Sequence, residues 1–270
     1  MGISDTSITS EELRQRLGGR DCPLIYDVRR RPVFDEDDAI IPGAKWRDHA
    51  AAGEWVAEIP PGRDAVVYCV HGHNVSQVAV ALLRAAGRRA FALAGGIAGY
   101  RQAGGAVLRR TALAPTAWEA GTRWVTRERP KIDRIACPWL IKRFIDPGAV
   151  FYFVAPEFVR DCADELRAIP YDIPDVEFSH DGELCSFDIF LRRFGLEEPA
   201  LGRLATIVRG ADTGRPELAP QAAGLLAMSL GLSAICGDDL KMLSEGLLFY
   251  DALYGWCRHA AAETHGWPPR

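Results

Sequence analysis

The run Val66-Val67-Tyr68-Cys69-Val70-His71-Gly72-His73-Asn74-Val75-Ser76 constrains this chain more than any other stretch. Apolar residues lead straight into a cysteine. A short polar loop with one glycine follows, and the alanine-rich residues 77–86 predict a helix. Strand, cysteine, tight loop and helix in that order bring loop amides and a helix N-terminus to one thiol, which favours the thiolate and can hold an anion. The competing reading is a strand cysteine that serves only packing. The polar loop and the helix behind it favour the reactive reading.

The neighbouring segments repeat the same rhythm. Thr9 or Ser10 is placed to cap a helix with Glu11 and Glu12 in its first turn. Leu24-Ile25-Tyr26-Asp27-Val28 reads as a strand running into Arg29-Arg30-Arg31, and Ile40-Ile41-Pro42-Gly43-Ala44 as a turn. Residues 66–69 and 90–93 read as further strands, and Gly95-Gly96-Ile97-Ala98-Gly99-Tyr100 as a glycine turn feeding a helix. Strands alternating with helices predict an α/β domain with a largely parallel sheet, in which ligands sit at the carboxyl ends of strands, where Cys69 falls.

Four ordered marks, Asp27-Val28-Arg29, Ile41-Pro42-Gly43-Ala44, Tyr68-Cys69-Val70-His71-Gly72 and the Gly95–Tyr100 segment, make residues 5–108 resemble a single rhodanese domain, the sulfurtransferase module. The resemblance implies that Cys69 is the catalytic cysteine and Val70, His71, Gly72, His73, Asn74 and Val75 its active-site loop. It implies a thiosulfate-type reaction in which the Cys69 thiolate accepts sulfur as a persulfide and passes it to a small thiol or cyanide. Two features depart from the family. His73, Asn74 and Val75 stand where an arginine or similar donor is common, and Val33-Phe34 and Asp38-Ala39 replace the usual Glu-Phe and Gly-His pairs. Related dual-specificity phosphatases need an arginine six residues after the cysteine to clamp phosphate bidentately; position 75 is valine, which disfavours that chemistry. His71 and His73 are either exposed loop residues or a source of charge and protons near neutral pH. Asp27 and Arg29 fit a structural polar pair at the pocket rim better than a catalytic one.

Residues 111–122 break the α/β rhythm around Ala114-Pro115-Thr116 and read as a linker, giving a first domain over 1–110 and a second over 123–270. In the second, Ile132, Ile135, Trp139, Leu140 and Phe144 recur at helical spacing, with Pro138 kinking or starting the helix. Residues 149–154 read as a strand, 156–166 as a helix and 176–180 as a strand entering the Asp181-Gly182 turn. Ser186 is placed to cap a helix burying Phe187, Phe190, Leu191 and Phe194. The remainder reads as helices over 200–208, 220–230 and 240–257. Asp238 or Asp239 caps the last, and Leu240, Leu243, Leu247, Tyr250, Tyr254 and Cys257 form its core stripe. Residues 264–270 read as a frayed tail. The expected architecture is thus an α/β rhodanese-like domain followed by a mainly α-helical (α+β) domain.

Trp124-Val125-Thr126-Arg127, the run from Lys131 to Ile141, Phe178-Ser179-His180, Cys185-Ser186-Phe187-Asp188, Ile207 to Asp212 and Tyr250 to Tyr254 make residues 122–260 similar to the C-terminal domain of ChrB-type chromate-resistance proteins. Members of that family that act as regulators carry a DNA-contacting N-terminal region; here a rhodanese-like region replaces it, so no nucleic-acid partner is expected. His180, Asp188, Asp212 and Asp133, with Cys185, are candidate metal or oxyanion residues, although their spacing fits no zinc pattern and helix capping alone would explain Asp188. A metal ion in this domain is the one cofactor expectation.

A net charge of -4 gives no basic face for nucleic acid or an acidic membrane, and no apolar run is long enough to span a bilayer. Seven scattered cysteines, odd in number and never in C-x-x-C spacing, fit free thiols in a reducing cytoplasm. Chromate is a tetrahedral dianion of sulfate shape, so a nest sized for thiosulfate would admit it, and a thiolate can reduce it. Two functions follow: a chromate-associated sulfurtransferase acting through Cys69, or a sensor whose loop binds an oxyanion without turnover.

Overall fold

Parallel strands need long crossovers, and the helices of the first half supply them. The computed structural model describes residues 6–263. Five strands, β1 (Ser7–Ile8), β2 (Leu24–Asp27), β3 (Ala44–Trp46), β4 (Asp64–Tyr68) and β5 (Arg89–Leu93), lie in the spatial order β1-β5-β4-β2-β3. Every pairing is parallel. This is the α/β arrangement with a parallel sheet that the sequence implied. The central strand β4 is covered on both faces, which is why it reads as an unbroken apolar run. Ala65, Val67 and Cys69 alternate onto one face, against Ala79, Val80 and Leu83 of the helix Asn74–Ala85. The first helix, Ser10–Arg16, is held by a reciprocal cap in which Thr9 accepts from the Glu12 amide and Glu12 accepts from the Thr9 amide.

Two expectations need correcting here. The 40–44 stretch is more than a turn: Ala39–Ile40 pairs antiparallel with Leu108–Arg109, Gly43 takes φ +73°, and Ala44 already opens β3. Residues 111–122 are a folded segment rather than an open linker. Trp118 sits on a helical turn (Ala117–Ala120), is 2% exposed, and donates its indole N–H to the Arg110 carbonyl at 2.9 Å. The Thr122 amide and hydroxyl both donate to Asp146, at 2.6 and 2.8 Å. A buried tryptophan and a satisfied backbone outweigh the breaker signal of the local composition.

The chain forms two compact units: Met1–Thr122 with Leu140–Val150 and Arg193–Leu196, and Arg123–Trp139 with Phe151–Arg192 and Glu197–Arg270. The second is helix-rich, around a small sheet in which Arg123–Arg127 lies between Ile169–Pro170 and Val150–Val154. Trp124 anchors one aromatic cluster with Tyr171, Phe178 and Phe190. Trp139 anchors another with Phe187, Tyr250 and Tyr254.

Several local readings shift. Pro138 lies inside the helix Asp133–Leu140, and a π-turn, Ile141–Ile145, follows it. The expected strand over 176–180 reduces to one bridge between Tyr171 and Phe178. Residues 156–166 divide into a 3-10 turn, Pro156–Phe158, and the helix Val159–Leu166. The final long helix, Asp239–Gly255, is capped by Asp238 as expected. It buries Met242, Leu243, Gly246, Tyr250 and Tyr254, whereas Leu240 is 58% exposed and Leu247 only partly covered. The expected tail, 264–270, lies outside the described residues. Among the described residues no helix is long and apolar enough to cross a membrane.

Candidate functional sites

Cys69 leaves β4 at the carboxyl edge of the sheet. Its residue is 7% exposed, and its sulfur lies 3.3 Å from Ser76 Oγ and 3.6 Å from the His73 carbonyl oxygen. The Ser76 hydroxyl also reaches that carbonyl, at 3.1 Å. One hydroxyl hydrogen thus has two acceptors, and an ionised sulfur, the stronger, would draw it. Burial by itself would raise the thiol's pKa. The Ser76 hydroxyl and the backbone N–H groups of Ser76, His71 and Gly72 outweigh burial and hold it below the ordinary cysteine value.

The backbone that leads into those amides is fixed from the neighbouring helix. Ile97 and Ala98, in the first turn of the helix Gly96–Gln102, donate to the Cys69 and Val70 carbonyls at 3.0 Å each. This close approach needs glycine on both sides. A Cβ on Gly96 (φ +58°) would stand 2.4 Å from the Cys69 oxygen and 2.6 Å from the Gly72 nitrogen. One on Gly72 (φ +73°) would stand 2.5 Å from the Leu93 oxygen. The cysteine loop and the Gly-Gly turn, read as separate marks in the sequence, are therefore one interlocked unit. Gly96→Ala should lower stability by about 3 kcal/mol, from overlap with backbone and a left-handed φ, measured as a fall in the urea midpoint at unchanged slope.

The other predicted residues fall into two groups. His71, His73 and Asn74 are exposed, and Val70 and Val75 are half-buried, Val75 against the core cluster. It is the backbone of His71 and Gly72, not an imidazole, that serves the sulfur. Asp27 and Arg29 are a buried structural pair and not a pocket rim. The Arg29 Nε bonds Asp27 at 2.9–3.0 Å, Nη1 reaches Asp37 at 2.8 Å and Nη2 donates to the Ala39 carbonyl at 2.8 Å. Ser76, seven positions after the cysteine, carries the largest single favourable contact to the sulfur and was given no role from sequence. Its only signal was a hydroxyl in the first turn of a helix behind a reactive cysteine.

A second constellation lies in the helix-rich unit. His180 Nε2 is 3.1 Å from Asp133 Oδ2, 3.3 Å from Asp172 Oδ1 and 3.2 Å from Asp212 Oδ2. Burial and the charge of Asp172 push the Asp133 carboxyl up to about 8, while the three carboxylates that accept from or surround its Nε2 hold His180 protonated, its pKa pushed up to about 12. Asp133, His180 and Asp212 are thus brought together as the sequence reading grouped them. Asp188 serves another purpose: its Oδ2 accepts from the Cys185 amide at 3.1 Å, capping the helix Ser186–Phe194, and its Oδ1 meets Arg209 at 3.2 Å. Ser186 does not cap that helix with its hydroxyl, which donates to Asp172 at 2.9 Å. Asp172 is the member that sequence reasoning missed, because the loop holding it has no periodicity. Two residues that position the cluster have left-handed backbones, Ile132 (φ +43°) and Asp172 (φ +53°). For the β-branched Ile132 this is strained, and the Tyr250 hydroxyl pins its carbonyl at 2.6 Å.

Comparison with known proteins matches these two units to two families. The profile described as "Rhodanese-like domain" matches residues 9–103, and that described as "ChrB, C-terminal domain" matches residues 124–257. Protein ChrB of Cupriavidus metallidurans is 38% identical over 141 residues, covering 52% of this chain and 42% of that protein. The chain therefore matches less than half the length of this curated relative. Among solved structures, a rhodanese-related protein from Thermoplasma volcanium is 24% identical over 38% of this chain and 96% of its own, with a TM-score of 0.33. A rhodanese-like domain protein from Staphylococcus aureus is 25% identical over 35% of this chain and 90% of its own, with a TM-score of 0.32. The chain joins a rhodanese-like domain to a ChrB C-terminal domain.

Proposed function

We propose that the first unit is a sulfurtransferase in which Cys69 carries sulfur as a persulfide, working in the reducing cytoplasm in the service of chromate resistance. The observation that carries this reading is the cradle around the sulfur: one hydroxyl and three backbone amides that hold the thiol below its ordinary pKa despite burial. In the first step the Cys69 thiolate attacks the outer sulfur of thiosulfate. A new S–S bond forms, the bond to the sulfonate sulfur breaks, and sulfite leaves with the electron pair. In the second step a small thiolate or cyanide attacks the terminal persulfide sulfur and returns Cys69 as thiolate. The amides that serve the thiolate also serve the persulfide anion.

Sulfur transfer is tested by mixing purified protein with thiosulfate and measuring intact mass. An adduct of about 32 Da on Cys69, removed by cyanide, supports the reading. One feature favours a second reading, that of an oxyanion sensor. The loop has no arginine or lysine from Val70 to Ser76, so it can bind a dianion through amides alone without driving turnover. Chromate binding with no adduct and no turnover would select the sensor.

The cradle also makes a sharper prediction. Ser76→Ala removes a charge-assisted hydrogen bond, so the pH midpoint of iodoacetamide alkylation at Cys69 should move upward. At pH 7 the rate should fall about tenfold, as expected for the loss of roughly 1.4 kcal/mol. An unchanged midpoint would mean that the amides act alone.

A further inference from the structure

The acid–histidine cluster of the second unit shares its cationic partners unevenly. Asp172 is matched by Arg127 at 2.8 Å and Arg134 at 3.3 Å, and Asp188 by Arg209 at 3.2 Å. Among the described residues, Asp133 and Asp212 have His180 as their only ion-pair partner. A single imidazole Nε2 holds at most one hydrogen, yet three carboxylate oxygens converge on it within 3.3 Å. Asp133 is buried, and besides His180 its only hydrogen-bond partner among the described residues is the Ser186 amide, at 3.3 Å.

A second feature points the same way. Cys137 lies one helical turn after Asp133 and is fully buried, and among the described residues its thiol makes no hydrogen bond. Its ionisable neighbours are Asp133, Cys185, Asp172 and Asp212, the members of the cluster and its edge. An unpartnered soft donor thus lies near a set of hard donors.

We propose that Asp133, His180 and Asp212 bind one divalent first-row transition cation of the Mn(II), Fe(II) or Zn(II) class, with Asp172 held beside the site by Arg127, Arg134 and Ser186. The facing ligand atoms of Asp133, His180 and Asp212 all lie within 4.8 Å of one another, close to the span of roughly 4 Å across an ion ligated at about 2.1 Å. A neutral imidazole with carboxylates suits these cations, whereas an all-oxygen site would suit calcium or magnesium. The ion would take the place of the hydrogen that His180 now shares among the converging carboxylates. Entry is from the His180 side, where that side chain is 41% exposed and Asp212 14%. This inference does not depend on the sulfur-transfer reading of Cys69.

The test uses the full chain, stripped with EDTA and titrated calorimetrically with Zn(II) or Mn(II) alone, with bound metal counted by mass spectrometry after dialysis. The expected result is one equivalent per chain, at least 100-fold weaker binding in His180→Ala and at least tenfold weaker in Asp212→Asn. Asp212 is the most accessible of the carboxylates, so that variant keeps the test intact should His180→Ala fail to fold, with circular dichroism as the check. Cys69→Ser should bind one equivalent like the wild type, which separates this site from the first. Absence of bound metal at about 100-fold molar excess, or wild-type binding by a folded His180→Ala or Asp212→Asn, would overturn the proposal.

Discussion

Cys69→Ser is expected to lower thiosulfate-to-cyanide sulfur transfer by about 10^3-fold or more while leaving the fold intact. A serine hydroxyl in the same cradle stays protonated near neutral pH and makes a poor nucleophile toward sulfur. Five other thiols are shifted the opposite way to Cys69. Burial raises the pKa of Cys137, Cys185 and Cys257, and that of Cys22 goes up to about 11. The charge of Glu245 adds to burial in raising that of Cys236. Alkylation mapping below pH 8 should therefore mark Cys69 first, since its pKa moves the opposite way. The sign gives a pH dependence: the rate of persulfide formation should rise through a midpoint below that of free cysteine and then plateau. Residual transfer above about one tenth of wild type in Cys69→Ser would locate the chemistry elsewhere.

How legible this site was from sequence depends on the range of the signal. Tyr68-Cys69 and Gly95-Gly96 were readable because each is a local pattern, an apolar strand end and a positive-φ turn. Their mutual dependence was not, because the Ile97 to Cys69 and Ala98 to Val70 hydrogen bonds join segments about 28 residues apart along the chain. The same limit hid Trp118, whose burial is decided by tertiary contact, and Asp172, whose partners Arg127 and His180 lie on other elements. In the last helix, sequence periodicity placed Leu243, Tyr250 and Tyr254 in the core, and these are buried. It overreached at Leu240, because apolar spacing alone does not say where a partner element ends.

Arg29→Ala is expected to cost about 3–5 kcal/mol of stability, the largest structural effect of any single change considered, although Arg29 touches no substrate. The guanidinium is almost fully buried and meets Asp27, Asp37 and the Ala39 carbonyl. Truncation leaves the Asp27 carboxylate buried and unpaired, the costly half of a broken pair. Asp27 also bonds the Tyr68 hydroxyl, which accepts the Ile41 amide at 3.2 Å, so the damage reaches the residue before Cys69. Two further arms separate charge from packing. If the orphaned charge dominates, Asp27→Leu combined with Arg29→Met should recover more than half of the loss, because the pair disappears together. The deficit of Arg29→Ala should also narrow as pH falls from 7 to 5. A buried, unpaired carboxyl has its folded-state pKa above its unfolded value, so its penalty is present at high pH and is relieved by protonation. A deficit that is flat with pH and untouched by the double replacement would instead assign the cost to the lost stacking of Arg29 over Phe34, 5.3 Å from its ring centroid.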